Sequence, residues 1–151
     1  MKRSILMVVA VPLLIAGCKR SESSENCLRA RVQAMSLLKQ AFTAQASYHK
    51  EQHKYGSGPA EVGFAPGHPL LYTYCLLDQC IPCDQGERCK NLGLAMSKCQ
   101  EVLAQNGGGD KTTYAACALG DSISTDPARP FDVWIMTAIA GYPQNIIDGC
   151  R

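Results

Sequence analysis

The spacing of hydrophobic and polar positions changes several times along this chain, and each change predicts a different element. Residues Ile5 to Ile15 form an almost unbroken apolar run behind Lys2 and Arg3. That run is too short to cross a bilayer comfortably as an anchor helix, and it carries the flanks of a secretory signal. From Asn26 to Lys54, Leu28, Val32, Met35, Leu38, Phe42 and Ala46 recur three and four residues apart, which draws one apolar stripe along a helix. No Gly or Pro interrupts this stretch, which gives a helix about 43 Å long at ~1.5 Å per residue. Glu22 and Glu25 at its start and Lys50, His53 and Lys54 at its end suit the helix dipole, and Gly56 follows as a stop.

Beyond the helix the pattern becomes extended. Gly56 to Pro69 is rich in Gly and Pro and reads as a loop, with Val62-Gly63-Phe64 as a short apolar anchor. Leu70–Leu77, Thr112–Leu119 and Phe131–Ala138 read as strands. Cys89–Gln105 returns to helical spacing through Leu92, Met96, Cys99 and Leu103, and Asn106-Gly107-Gly108-Gly109 ends it. Gln79–Arg88 is a cysteine-rich connection, Gly120–Pro130 a polar turn and Gly141–Arg151 an irregular tail. The switch of period predicts an α+β fold. Its long N-terminal amphipathic helix, residues 26–54, packs on a small antiparallel sheet, and a disulfide-rich insertion at about 75–111 carries the second helix.

Ile15-Ala16-Gly17-Cys18 closes the first apolar run with small residues before a cysteine. This close resembles a bacterial lipobox, which implies a signal peptide at 1–17, cleavage before Cys18 and acylation of its thiol and amine, palmitate among the chains. Residues 18–25 then form a lipidated cysteine and a short, serine-rich polar tether reaching at most about 26–29 Å, and residues 26–151 form the domain. Lys19 follows the cysteine where lipoproteins retained at the inner membrane usually have Asp. By resemblance to lipoproteins of two-membrane bacteria, this favours an outer-membrane, periplasm-facing address.

Charge then removes a class of partners. The whole chain carries 15 Lys and Arg against 13 Asp and Glu. Loss of Lys2 and Arg3 would balance the two, so no basic stripe marks a nucleic-acid partner. The expected contact with the membrane is through lipid at Cys18. Eight cysteines remain besides Cys18: Cys27, Cys75, Cys80, Cys83, Cys89, Cys99, Cys117 and Cys150. An even number in an exported chain reads as up to four disulfides, with about 105 pairings open. Cys27 begins the domain and Cys150 nearly ends it, which suits a clasp of the termini. Cys75 and Cys117 fall in two candidate strands, which suits a bridge across them.

Several motifs invite chemistry. Cys80-Ile81-Pro82-Cys83 has the spacing of a redox-active pair, but a thioredoxin-like site needs a strand before and a long helix directly after, and Gln85-Gly86-Glu87 interrupts. Cys80, Cys83, Cys89 and Cys99 could offer four thiolates to zinc or an iron–sulfur cluster, though the second pair has the wrong spacing and an oxidising compartment favours cystine. His49 and His53 stand at i and i+4, yet Lys50 occupies the place of the glutamate in a zinc-protease motif. Gly107 to Thr112 lacks the spacing of a phosphate loop. Asp121, Asp126 and Asp132 surround a turn in which Arg129 and two prolines break the rhythm of a calcium loop. No catalytic constellation, cofactor site or metal site stands above these bland readings, so no enzyme is expected.

One succession of motifs is more specific. Ala44-Gln45-Ala46-Ser47-Tyr48 ends the helix, and Tyr55-Gly56 and Gly63-Phe64-Ala65-Pro66-Gly67 follow it. Then come Tyr72-Thr73-Tyr74, Thr113 to Asp121 and Asp132-Val133-Trp134. This order resembles the globular part of type IV pilin-like proteins and pseudopilins, over roughly 28–74 and 112–136. The pilin N-terminal helix has no counterpart after Cys18, and the cysteine-rich insertion lies outside the pattern. The resemblance implies a non-catalytic lipoprotein whose pilin-like head makes protein contacts in the envelope, within reach of a pilus or a type II secretion-like system. The alternative is a thiol–disulfide redox lipoprotein acting through Cys80 and Cys83.

Overall fold

Strands β1 (Thr73–Leu76), β3 (Ala115–Asp121) and β4 (Phe131–Thr137) are buried at every position except Asp121. A sheet shows this when both of its faces are covered. The computed structural model describes residues 22–87, 89–105, 115–121 and 131–150. The expected signal segment 1–17, Cys18 and residues 19–21, the Gly107–Thr112 turn, residues 112–114 of an expected strand, and the turn holding Asp126 and Arg129 lie outside them.

Helix α1 spans Glu22–Gln52. It starts four residues earlier than the pattern predicted and takes in residues 22–25, which were expected to be part of a tether. It also stops earlier, because His53 turns into the left-handed conformation at φ 55° while its N–H still donates to His49 O at 2.8 Å. Gly56 is therefore not the stop. Its backbone is buried against the helix, where Gln45 Nε2 donates to Gly56 O at 2.8 Å and Gly56 N–H donates to Gln45 Oε1 at 3.0 Å. A buried amide on a helix needs partners of this kind, and here they tie the following loop to α1.

The buried face of α1 also differs from the expected stripe. Cys27, Ala34, Leu37, Leu38, Ala41 and Gln45 face the sheet, whereas Leu28 and Val32 are each 53% exposed and Ala46 is exposed. Small residues let the helix approach the sheet closely. Of the larger residues chosen by periodicity, only Leu38 is fully buried, and Met35 and Phe42 are partly covered.

The sheet is wholly antiparallel in the order β2-β1-β3-β4-β5. Strand β2 (Gln79–Ile81) was not expected; it pairs with β1 through a hairpin whose loop is only Leu77-Asp78. Leu77 sits at φ 48°, a conformation that Gly or Asn adopts far more readily, so the turn left no signature in the sequence. Strand β5 (Gln144–Ile147), in the tail read as irregular, pairs with β4 across a register shift at Val133/Trp134.

Helix α2 (Leu92–Gln105) connects edge strand β2 to β3, on the far side of β1. That crossover lays it over the second face of the sheet. Asn91 caps it, its Oδ1 accepting from Leu94 N–H at 3.1 Å, and Ala95, Cys99, Val102 and Leu103 are its buried residues. Alternation along the strands then makes two cores. Tyr72, Tyr74, Leu76, Ala116, Ala118, Trp134 and Met136 pack with α1, and Cys75, Cys117, Leu119, Val133 and Ile135 pack with α2. The expected α+β fold is present, and the insertion supplies a full layer of it.

Candidate functional site

Asp132 lies on β4 facing α1 and is only 2% exposed. A carboxylate there needs several donors to replace water, and four converge. Tyr72 O–H and Trp134 Nε1–H donate to Oδ2 at 2.5 and 2.8 Å, and Asn145 Nδ2 and the Gly149 N–H donate to Oδ1, each at 3.0 Å. Asp132 and Trp134, two apart on one strand, necessarily share a face. Gly120 stands opposite Asp132 in the ladder, and a Cβ there would fall 2.7 Å from the Tyr72 ring. The Tyr-Thr-Tyr, Gly-Asp and Asp-Val-Trp motifs of the sequence thus meet in one polar hub beneath α1.

The hub is built to hold the fold. Burial first, and then the negative charge of Asp132, push the Tyr72 hydroxyl far above its ordinary range, so it stays a donor. Burial also pushes the Tyr74 hydroxyl up, and this buried hydroxyl has no hydrogen-bond partner among the described residues. Beside the hub, Asp132, Asp148 and Cys150 bring ligand-type atoms within 4.8 Å of one another. Cys150 is bonded to Cys27 and Asp148 pairs with Arg31, so the cluster is already committed to joining α1 to the C-terminal segment. A cleft of about 620 Å³ opens alongside, between the N-terminal half of α1 and the Gln85-Gly86 turn, with Arg29, Gln33, Tyr72 and Asp121 on its walls.

The cysteines form four disulfides: Cys27–Cys150, Cys75–Cys80, Cys83–Cys89 and Cys99–Cys117. The first is the clasp of the termini. The expected Cys75–Cys117 bridge is not made, although the two residues stand directly opposite each other. Cys75 has a second opposite neighbour, Cys80 in β2, and bonds to it, while Cys117 reaches up to Cys99 on α2. Cys80 and Cys83 belong to different disulfides, so they make no dithiol pair. The four cysteines weighed as metal thiolates are divided among three bridges.

The remaining candidates disperse in the same way. His49 stacks on Tyr55 with ring centroids 4.4 Å apart, and His53 has left the helix, so the i, i+4 face is lost. Asp121 stands opposite Phe131 and accepts from the Cys89 N–H at 2.7 Å, whereas Asp132 turns to the other face of the sheet, and Asp126 lies outside the described residues. Asp84, which no motif flagged, makes three hydrogen bonds to two residues of the segment before β1. Its Oδ2 accepts from Leu70 N–H at 2.5 Å and meets His68 Nδ1 at 2.6 Å, and its own N–H donates to Leu70 O at 2.8 Å. The Leu70 N–H and then His68 hold its carboxyl below the usual range.

Among the described residues no helix is long and apolar enough to cross a membrane. No protein-family profile matches the chain. A curated protein, the type IV major pilin protein PilA of Myxococcus xanthus, is 36% identical to it over 70 residues. That stretch is 46% of this chain and 28% of the pilin, so the chain is similar to little more than a quarter of that protein's length.

Proposed function

We propose that this protein is a non-catalytic lipoprotein of the bacterial envelope, held at the membrane by Cys18, with a pilin-like head that binds other proteins. One observation carries the reading. The motifs that resemble pilins converge on the Tyr72–Asp132–Trp134 hub beneath one long N-terminal helix, and the identity to a pilin extends over 70 residues. Four disulfides suit an exported domain. The partner belongs, on this reading, to a pilus or a type II secretion-like machine, and Lys19 favours the outer membrane as the address.

The partner-binding face we assign to the stapled insertion, where Leu92 and Leu94 stand exposed on α2. The experiment is photo-cross-linking in intact cells from a probe at Leu94, with Leu92→Glu as the surface variant. The expected result is a discrete protein adduct that identifies a filament or secretion component and that Leu92→Glu abolishes. Separately, Cys18→Ser should release the protein from membrane fractions. Loss of membrane attachment without any adduct keeps the lipoprotein and removes the binding role.

A further inference from the structure

The first turns of α1 carry an apolar surface that the fold leaves uncovered. Leu28 and Val32 are each 53% exposed, one turn apart on the same face, and the Cys27–Cys150 bridge fixes that end of the helix to the body. Both lie close in the chain to Cys18. Because α1 begins at Glu22, only Lys19, Arg20 and Ser21 intervene, and four residue steps span at most about 14 Å. Leu28 is six further residues along, about 9 Å of helix. A lipid at Cys18 would therefore hold this patch within about two helix diameters of the headgroups. The charges on this part of α1 have the matching sign, since Arg29 and Lys39 outnumber Glu25.

Resting on the lipoprotein reading above, we infer that the N-terminal half of α1 lies against an anionic phospholipid surface, with Leu28 and Val32 seated at headgroup depth. The helix then runs along the membrane, and the head does not stand away from it on a tether. An exposed apolar pair flanked by cationic residues is the pattern of helices that rest in the interfacial plane. The basic residues gain from the negative surface potential over about one Debye length. The opposite side of the molecule, with α2 and Leu94, faces away from the membrane.

The test uses the full lipidated protein reconstituted in phosphatidylglycerol–phosphatidylethanolamine vesicles that contain brominated phospholipid. Leu28→Trp is compared with Leu94→Trp, a site 41% exposed on the far layer; native Trp134 is buried and common to both. Bromine is expected to quench the emission added by Leu28→Trp by roughly half and to leave that added by Leu94→Trp unchanged, since interfacial side chains lie ~5–10 Å deep. Equal, weak quenching at both sites, with the acylated N-terminal peptide confirmed by mass, overturns this orientation and leaves the lipoprotein reading intact. An N-terminal peptide without lipid overturns both. Shielding of the Leu28→Trp side chain from aqueous iodide without bromine quenching assigns the patch to a second copy or another protein, and also overturns it.

Discussion

The two faces of the central sheet are held by different means. Toward α1 the strands present large aromatics and a buried carboxylate, and hydrogen bonds fix that side: four knit Asp132 to Tyr72, Trp134, Asn145 and Gly149 beneath the helix, and two tie Gln45 of α1 to Gly56. Toward α2 they present aliphatic side chains and Phe131, and disulfides fix that side: Cys99–Cys117 joins α2 to β3, while Cys75–Cys80 and Cys83–Cys89 staple the adjoining hairpin and loop. The α1 face can be specified by shape and polarity before oxidation. The α2 face, assembled from an insertion with a 14-residue helix and a three-residue strand, relies on covalent closure. The one bridge on the α1 side, Cys27–Cys150, closes a separation of 123 residues, against 5, 6 and 18 for the others.

Loop length should therefore rank the bridges. Cys27→Ala/Cys150→Ala is expected to destabilise the domain by about 5 kcal/mol, against about 3 for Cys99→Ala/Cys117→Ala and about 2 for Cys83→Ala/Cys89→Ala. Urea unfolding of the three double variants checks the order, and equal losses would show that unfolded-chain entropy does not govern them. Next comes Asp132→Leu, which strands four donors in the core. Its expected cost is about 3–5 kcal/mol, read as a fall in thermal midpoint with all four disulfides intact. A smaller contrast separates the two tyrosines. Tyr72→Phe removes a hydrogen bond to a charged group and should cost about 1.5–3 kcal/mol, while Tyr74→Phe removes a hydroxyl with no partner among the described residues and should be neutral or stabilising. Similar losses for both would show that the hub contributes little beyond packing.

The smallest effect depends on pH. Glu61 is held at about 2, below its ordinary 4.5, by the Tyr48 hydroxyl first and then the N–H and hydroxyl of Ser57. Its folded value is depressed, so its contribution is present above pH 4.5 and is lost as pH falls toward 2. The protection of the Ser57 amide from exchange, relative to an unstructured peptide at the same pH, should fall through that window, and Glu61→Gln should flatten the dependence.

Period and turn chemistry made α1, α2, β1, β3 and β4 legible, each to within a few residues. The misses have local causes. Strand β2 hid behind a Leu-Asp turn, and β5 is four residues of Gln-Asn-Ile-Ile after Gly141 and Pro143, too short to establish alternation. The α1 stripe was misplaced because hydrophobic size was read as burial, whereas close packing on the sheet selected Ala34 and Ala41. The cysteine pairing failed at Cys75, which has a cysteine directly opposite on each neighbouring strand, an ambiguity that only the position of α2 resolves. The hub was half visible: Asp132 and Trp134 two apart on a buried strand signal a carboxylate in need of donors, but Asn145 and Gly149 carry no such mark.

The Cys27–Cys150 clasp also has a mechanical consequence. A pull on the N-terminus enters α1 at its first turn, five residues before Cys27. From that point the load passes through a covalent link into the segment that follows β5, and so reaches the body of the sheet from both ends of the chain. Residues 22–26 can be drawn out, but the rest of α1 cannot be peeled turn by turn; it must shear off the sheet as a unit. Reduction of that one bridge would turn a shear-loaded helix into one that unzips.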